Sequence, residues 1–385
     1  MLMARGVAAE APYVIAAVTG RALAASAARA GYPVIVLDFF ADRDTRALAR
    51  EVRIVAAAGA LRFDRTALLR AADSLAPPSA GARLVYGSGF EGCAGLLARL
   101  ALGRELLGNS PDVVASVRDP SRFFPLLDRL GIHHPEVRRT APEDPTGWLV
   151  KNPGGAGGTH VRRATRRPAR SGSYFQRLEA GDACSVLFLA DGRRGLILGF
   201  NRQWTRPLRP DRPFLYGGAV GAVPMPAPVV SDIQDRLDAL IAASGVLGLN
   251  GLDFLLDGER WTALELNPRP TATMELYDLD YQDGLFHQHI EACRGSLPGA
   301  AARPRAARAQ AIVHAPTAWA VTPLFAFPEW CADIPVPGTS LAPGGPVCTV
   351  HAEAPTPDRA VAMVEARRDE VERTLAVEAA TTVGG

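Results

Sequence analysis

Short apolar runs alternate with Ala- and Leu-rich stretches over the first third of the chain. Tyr13–Val18 is uninterrupted and reads as a buried strand. Thr19-Gly20 punctuates it, an Ala-rich helical stretch follows to Ala30, and Gly31 ends that helix. Pro33-Val-Ile-Val-Leu37, closed by Asp38, is a second strand. Strand, helix and strand at this spacing predict a βαβ unit, hence a parallel sheet with ligands at the carboxyl ends of its strands. Arg83–Tyr86 is a further strand, running into Gly87-Ser-Gly-Phe-Glu91 and a Leu-rich helix to about Leu107. Gly108-Asn-Ser-Pro111 closes this unit. Arg118–Leu130 then carries Phe123, Phe124, Leu127 and Leu130 at helical spacing.

From Trp148 the period changes. Trp148-Leu-Val150 is a strand that enters a glycine loop. Cys184–Leu189 and Gly195–Gly199 flank Asp191-Gly192, and Leu252–Leu256 and Arg260–Leu266 flank Asp257-Gly258. Both are hairpin signals. Between them Ser231–Ser244 is helical, with Ile233, Leu237, Leu240 and Ile241 on one face. A Pro- and Arg-rich break at Pro298–Arg308 precedes a β segment to about His351, and a helix from Asp358 to about Val377 ends the chain. The expected class is α/β followed by α+β. No internal repeat is present.

Composition narrows the partners. A chain of 385 residues predicts two or three domains. With 48% hydrophobic and 21% charged residues, a sizeable core is available. A net charge of +2 lacks the basic excess that nucleic acid or an anionic membrane demands. The five cysteines are scattered with no C-x-x-C pair, which predicts reduced thiols in a cytoplasm. No apolar run is long enough to span a membrane. The Ala-rich start is not read as a secretory signal, because Glu10 and Pro12 precede the first strand.

One count changes the picture. Of 42 cationic side chains, only Lys151 is lysine. An ammonium and a guanidinium are not interchangeable, so retention of one marks a special position. Lys151 opens Lys151-Asn-Pro-Gly-Gly-Ala-Gly-Gly-Thr159, where Gly154, Gly155, Gly157 and Gly158 let backbone N–H groups converge on an anion. Lysine before the glycines, at a strand end, is not a Walker A loop and predicts strand–loop–strand. About a hundred residues on, Glu265 and Asn267 project from one face of a strand and Asp253 sits on its hairpin partner. Three oxygen ligands there suit Mg²⁺ completed by substrate phosphates.

These two constellations, in this order, resemble the ATP-grasp superfamily. The resemblance implies a Rossmann-like unit over residues 1–110, a two-lobed ATP-grasp domain over 111–304 (lobes 111–175 and 176–304), and a β-rich C-terminal extension over 305–385. It implies ATP and Mg²⁺ (or Mn²⁺) as cofactors, with Lys151, Gly154, Gly155, Gly157, Gly158 and Thr159 on the phosphates. Asp253, Glu265 and Asn267 would hold the metal. Phe175-Gln-Arg-Leu-Glu-Ala-Gly181 is similar to the family's hinge, which places Gln176, Arg177 and Leu178 at the adenine. The family's ribose-binding acid falls on Ala183, leaving Asp182 or Glu179 for that role. Arg118 falls where relatives carry a phosphate-side lysine, Arg269 resembles an arginine on the transferred group, and Arg202 is a further arginine for that job.

The resemblance implies a carboxylate–amine ligase working through an acyl phosphate. Gly87–Glu91 and Asp333-Ile-Pro also look like carboligases of one-carbon carrier pathways. Small-molecule substrates are expected, with no nucleic acid or membrane partner; a homodimer is compatible. A carboxylase-like enzyme phosphorylating bicarbonate and a non-catalytic ATP-binding regulator are the alternatives. Other motifs read as structural. Asp278–Gly284 lacks calcium-loop spacing and reads as a surface turn, the paired histidines lack a third zinc ligand, and Thr19-Gly20-Arg21 lacks the glycines of a dinucleotide fingerprint.

Overall fold

The computed structural model describes residues 11–383, so the first residues behind the signal-peptide reading lie outside the described part. The first sheet contains β1 (Tyr13–Ala16), β2 (Val34–Asp38), β3 (Glu51–Ile54), β4 (Arg83–Tyr86) and β5 (Glu105–Leu106), ordered β3-β2-β1-β4-β5. Every pairing in it is parallel. Between β1 and β4 the winding reverses, the position where such sheets bind ligands. Helices α1 (Arg21–Arg29), α2 (Arg43–Leu48), α3 (Arg65–Leu75) and α4 (Ala94–Ala101) cover it. Here α4 is shorter than expected. The chain turns at Gly103 with φ +72° and re-enters the sheet as β5.

Next, α5 (Pro111–Arg118) and α6 (Pro120–Arg129) form two helices where one was expected. Asp119 sits between them in extended conformation and caps α6 through Ser121 N–H. Residues before proline avoid the helical region, which accounts for the break. A four-stranded antiparallel sheet follows: β6 (Val137–Arg138), β7 (Trp148–Lys151), β8 (Val161–Arg163) and β9 (Tyr174–Arg177), ordered β6-β9-β7-β8. The glycine loop links β7 to β8, so the expected strand–loop–strand is present.

The remainder is built on one large sheet. Its strands are β10 (Asp182–Asp191), β11 (Gly195–Thr205), β12 (Tyr216–Val220), β13 (Leu247–Asp257), β14 (Arg260–Asn267) and β15 (Ala307–His314), joined later by β17 (Cys331–Ala332) and β19 (Pro346–Ala354). The order is β14-β13-β10-β11-β12-β15-β19-β17. A small pair, β16 (Trp319–Ala320) with β18 (Ser340–Leu341), lies outside it. The helices are α7 (Ala227–Ser244), α8 (Glu275–Asp278), α9 (Gly284–Cys293) and α10 (Pro357–Val383).

Packing fixes how the parts meet. Phe286 and Ile290 of α9 share a buried cluster with Tyr13, Ile15 and Val36 of the first sheet and with Leu187 and Leu189 of β10. That core brings the carboxyl ends of β1, β2 and β4 against the large sheet. Ile233, Leu237 and Ile241 of α7 cover the opposite face of the sheet with Phe188 and Phe254. The Asp278–Gly284 segment is more than a surface turn. Asp278 is buried and accepts from Ser26 Oγ at 2.6 Å, while Asp280 pairs with Arg308 at 2.7 Å. No described helix is long and apolar enough to cross a membrane.

Candidate active site

Asp253 and Glu265 are direct cross-strand partners on β13 and β14, and Asn267 lies two residues further along β14. Apolar Leu264 and Leu266 alternate with them, so the strand period sends all three polar groups to one face. Asn267 Nδ2 donates to Asp253 Oδ2 at 3.0 Å, and Gln203 Nε2 donates to Asp253 Oδ1 at 3.1 Å. Burial, then the neighbouring Glu265, pushes the Asp253 carboxyl up to about 7. Burial alone would raise Glu265 too, but Arg118, Lys151, His160 and Arg269 outweigh it and hold that carboxyl down to about 2.

Cations converge on this face from three elements. Lys151, at the end of β7, is 5% exposed and donates from Nζ to Gln176 Oε1 at 3.1 Å. Arg118, at the end of α5, reaches Glu265 Oε2 at 3.2 Å and the Gly155 carbonyl at 3.2 Å, tying the glycine loop to β14. Arg269 follows Asn267 and donates from Nε to Glu91 Oε1 at 2.6 Å. Glu91 comes from the turn between β4 and α4 in the first unit; Arg269 and Arg118 hold its carboxyl below the usual range despite its burial. A narrow cleft opens beside these groups, with Phe123, Tyr174, His160 and Glu265 among its walls.

The glycine loop fits because three side chains are absent. A Cβ on Gly154 would stand 2.2 Å from the Gly92 Cα, and one on Gly158 would stand 1.7 Å from the Phe214 carbonyl oxygen. Gly157 accepts a hydrogen bond from Tyr216 N–H through its carbonyl at 3.1 Å. A Cβ on Gly155 would meet the His160 Cβ at 2.2 Å. The Thr159 hydroxyl donates back to the Ala156 carbonyl at 2.9 Å, so it stiffens the loop.

Two expected site residues face away. Asp182 and Arg202 lie in the cross-strand rows of Leu256 and Val220, one residue out of phase with Asp253. Strand alternation therefore gives the site face to Ala183 and Gln203. Arg202 instead pairs with Asp358 of α10 at 2.6 Å. At the hinge, the N–H groups of Arg177 and Leu178 donate to the carbonyls of Glu136 and Gly147, and the Arg177 guanidinium stacks 5.5 Å from the Trp148 ring. Both amide N–H groups are thus engaged within the fold.

His160, Gln203 and Tyr216 were not expected at the site. Burial lowers His160, Lys151 and Arg118 lower it further, and its Nδ1 is buried without a partner. Its position directly after the glycine loop was the available signal. Gln203 was masked by its neighbour Arg202.

Residues 119–273 match the family model described as an ATP-grasp domain. This segment is an ATP-grasp domain. No curated protein matches the chain significantly. Among solved structures, an L-amino acid ligase from Bacillus licheniformis aligns at TM-score 0.68 and 12% identity, over 94% of this chain and 97% of that one. The biotin carboxylase domain of the Hydrogenobacter thermophilus 2-oxoglutarate carboxylase, solved with MgADP and bicarbonate, aligns at TM-score 0.71 and 12% identity over 92% and 89%. N5-carboxyaminoimidazole ribonucleotide synthetase from Thermotoga maritima aligns at 0.63 and 16% identity over 94% and 98%. At these identities the likeness establishes a shared fold. The Asp253, Glu265 and Asn267 oxygens fit a hard divalent cation: two facing carboxyls, one driven towards its neutral form by burial and then by the other, with an amide beside them. Among the described residues no group of three acidic, His or Cys side chains is arranged around a metal, so an ATP-grasp metal here would draw on the Asn267 amide and on phosphate oxygens.

Proposed function

We propose that this chain is an ATP-dependent ligase that joins a carboxylic acid to an amine through an acyl phosphate. The observation that carries the reading is the convergence of Lys151, Arg118, His160 and Arg269 on Glu265, beside a glycine-rich loop. A carboxylate oxygen attacks the γ-phosphorus while the bridging oxygen leaves with ADP. The amine nitrogen then adds to the acyl carbon, phosphate departs with the C–O electron pair, and the nitrogen loses its proton. Both nucleophile and ATP tail are anionic, so charge neutralisation dominates the barrier.

Asp253, Glu265 and Asn267 would hold Mg²⁺ or Mn²⁺, which supplies charge neutralisation at the phosphates when bound. Gln176 aims the Lys151 ammonium, and Glu91 holds the Arg269 guanidinium against the turn that follows β4. A preorganised cation at such a site contributes roughly 3–4 kcal/mol. No side-chain nucleophile is required.

ADP release, measured over paired carboxylates and amines, tests this. Glutamate and pterin or furan carrier precursors form one arm, and bicarbonate without an organic acid forms another. Release that requires both an organic acid and an amine supports the ligase. Release with bicarbonate alone moves the assignment to carboxyphosphate chemistry, and ATP binding without turnover on any pair moves it to a regulator.

A further inference from the structure

The segment between β17 and β18 grips the first unit. β17 is a strand of two residues at the edge of the large sheet, paired with β19, and Asp333 follows it with φ +55°. The N–H groups of Asp333 and Ile334 donate to Asp44 Oδ2 at 2.8 Å and Oδ1 at 3.0 Å, and Arg43 N–H donates to the Ile334 carbonyl at 2.8 Å. The Asp333 carboxylate accepts from Arg21 Nε at 3.1 Å and from Thr349 Oγ1 at 2.6 Å. Arg21 also donates to Glu275 of α8 at 2.6 Å. The first unit, α8 and this segment therefore meet where the segment's own attachment to the sheet is two residue pairs long.

Two cysteines stand at that attachment. Cys331 is directly opposite Val350, and Cys348 precedes Val350 by two residues, so strand alternation puts both cysteines on one face. Both pack into the cluster that holds Val350, Ala352 and Val364. Diagonal neighbours on a sheet face are within reach of each other's side chains, and here the Cys348 thiol shares a hydrogen bond with Cys331. The two are 17 residues apart without a C-x-x-C motif, so the pairing of β17 with β19 is what brings them together. The remaining cysteines have other neighbours. Cys93 Sγ donates to the Gly89 carbonyl at 3.2 Å, Cys293 Sγ lies 3.8 Å from His289 Nε2, and Cys184 stands near Asp182 and Arg202.

The pair is asymmetric. Cys331 is partly exposed at the sheet edge, whereas Cys348 is buried. The hydrogen bond with Cys331, then burial, pushes the Cys348 thiol well above its usual range, so it keeps its proton while Cys331 meets solvent. The thiolate is the attacking species in thiol–disulfide exchange, and access decides which sulfur is reached. This arrangement suits one reactive cysteine and one resolving cysteine.

We propose that Cys331 and Cys348 form a reversible disulfide that staples β17, and with it Asp333, to β19. The oxidant is a low-molecular-weight disulfide. Cys331, as thiolate, attacks one of its sulfurs; the S–S bond breaks and one thiolate leaves with the electron pair. Cys348 then loses its proton to water, attacks the Cys331 sulfur of the mixed disulfide and expels the second thiolate. The two protein thiols give up two electrons, and the added disulfide is reduced to two thiols. An edge strand of two residues has the freedom to make the small shift that closure demands. The crosslink closes the loop that carries Asp333 and Ile334, so it firms the grip on Asp44 and Arg21. The assignment is independent of the ligase chemistry.

Treating the whole chain with oxidised glutathione tests this. Chymotrypsin cleaves after Leu341, between the two cysteines, so an unreduced digest reports the link directly. A linked pair of peptides holding Cys331 and Cys348 is expected, with the thermal midpoint raised by about 5 °C and both effects reversed by dithiothreitol. C331S should abolish the link and the rise together. Glutathione retained on Cys331, a link to Cys93, Cys184, Cys293 or a second chain, or a failure to react overturns the pair. A link that leaves the thermal midpoint unchanged overturns the stapling of Asp333. Should C331S fail to fold, C348A serves in its place, and the wild-type digest decides by itself.

Discussion

Asp253 and Glu265 face each other across β13 and β14, yet their acidities move in opposite directions. Arg118, Lys151, His160 and Arg269 gather at Glu265, whereas Asp253 receives only the neutral amides of Gln203 and Asn267 as hydrogen-bond partners. One carboxyl is therefore ready as an anion and the other must lose a proton before it can ligate.

This split predicts a pH-dependent metal site. Asp253 must be ionised to coordinate, and its proton leaves at about pH 7. Mn²⁺ affinity, followed by calorimetry, should fall about tenfold per pH unit below that value and level off above it. Stability moves the other way. A carboxyl with a raised folded-state pKa stabilises fully below its unfolded value near 4, and that contribution is lost as pH rises through about 7. D253N should accordingly raise the thermal midpoint of the metal-free protein at pH 8, with the gain shrinking towards pH 5. A pH-independent Mn²⁺ affinity between pH 5.5 and 8.5 would refute the account.

Lys151 is the residue to mutate first. Its ammonium is buried against Gln176 and faces Glu265. K151M should lower ADP release by roughly 10²–10³-fold while far-UV circular dichroism stays unchanged. K151R should also lose activity, because a planar guanidinium needs room that the Gln176 contact closes off. Full turnover in K151R would break the argument that an ammonium is required.

The site was legible where the strand period was unambiguous. Glu265 and Asn267 are bracketed by leucines, so their shared face could be read directly. At Asp182-Ala183 and Arg202-Gln203 the polar residue of interest stands next to the one that faces the site, and neither neighbourhood alternates cleanly enough to set the phase. Pairing with β13 sets it. The first sheet was legible through β1, β2 and β4, which are apolar except for Asp38 and Arg83 at their ends. β3 was not, since only Val52 of its four residues is buried. The joining of β15, β19 and β17 to the same large sheet depends on contacts across a hundred residues, which local periodicity does not report. Glu91 and Arg269 are 178 residues apart, and their pairing emerges only once the first unit docks.

That pairing gives a further prediction. The Glu91 side chain is 2% exposed and Arg269 10%, so neither charge has ready access to water. E91Q strands the guanidinium and should cost about 3–5 kcal/mol of stability. The double variant E91Q/R269M removes both charges and should recover much of the thermal midpoint without recovering ADP release. Thermal melts of the two single variants and the double form a cycle whose coupling energy reports the pair. Additive losses would mean that Glu91 does not hold Arg269.

The glycine loop separates conformational need from spatial need. Gly157 and Gly158 both have positive φ, +60° and +72°. Around Gly157 a Cβ would meet nothing within 4 Å, whereas at Gly158 it would collide with the Phe214 carbonyl. G157A therefore pays only the backbone strain, about 1–2 kcal/mol for a left-handed L-residue. G158A adds a backbone collision that forces the loop off the segment leading to β12. ATP affinity, measured by equilibrium titration, should fall severalfold at most in G157A and at least tenfold further in G158A. The thermal midpoint should change far less than affinity in both, because the loop covers no hydrophobic core. If the two alanine variants bound ATP equally, close packing of the loop against Phe214 would have no part in presenting its N–H groups to phosphate.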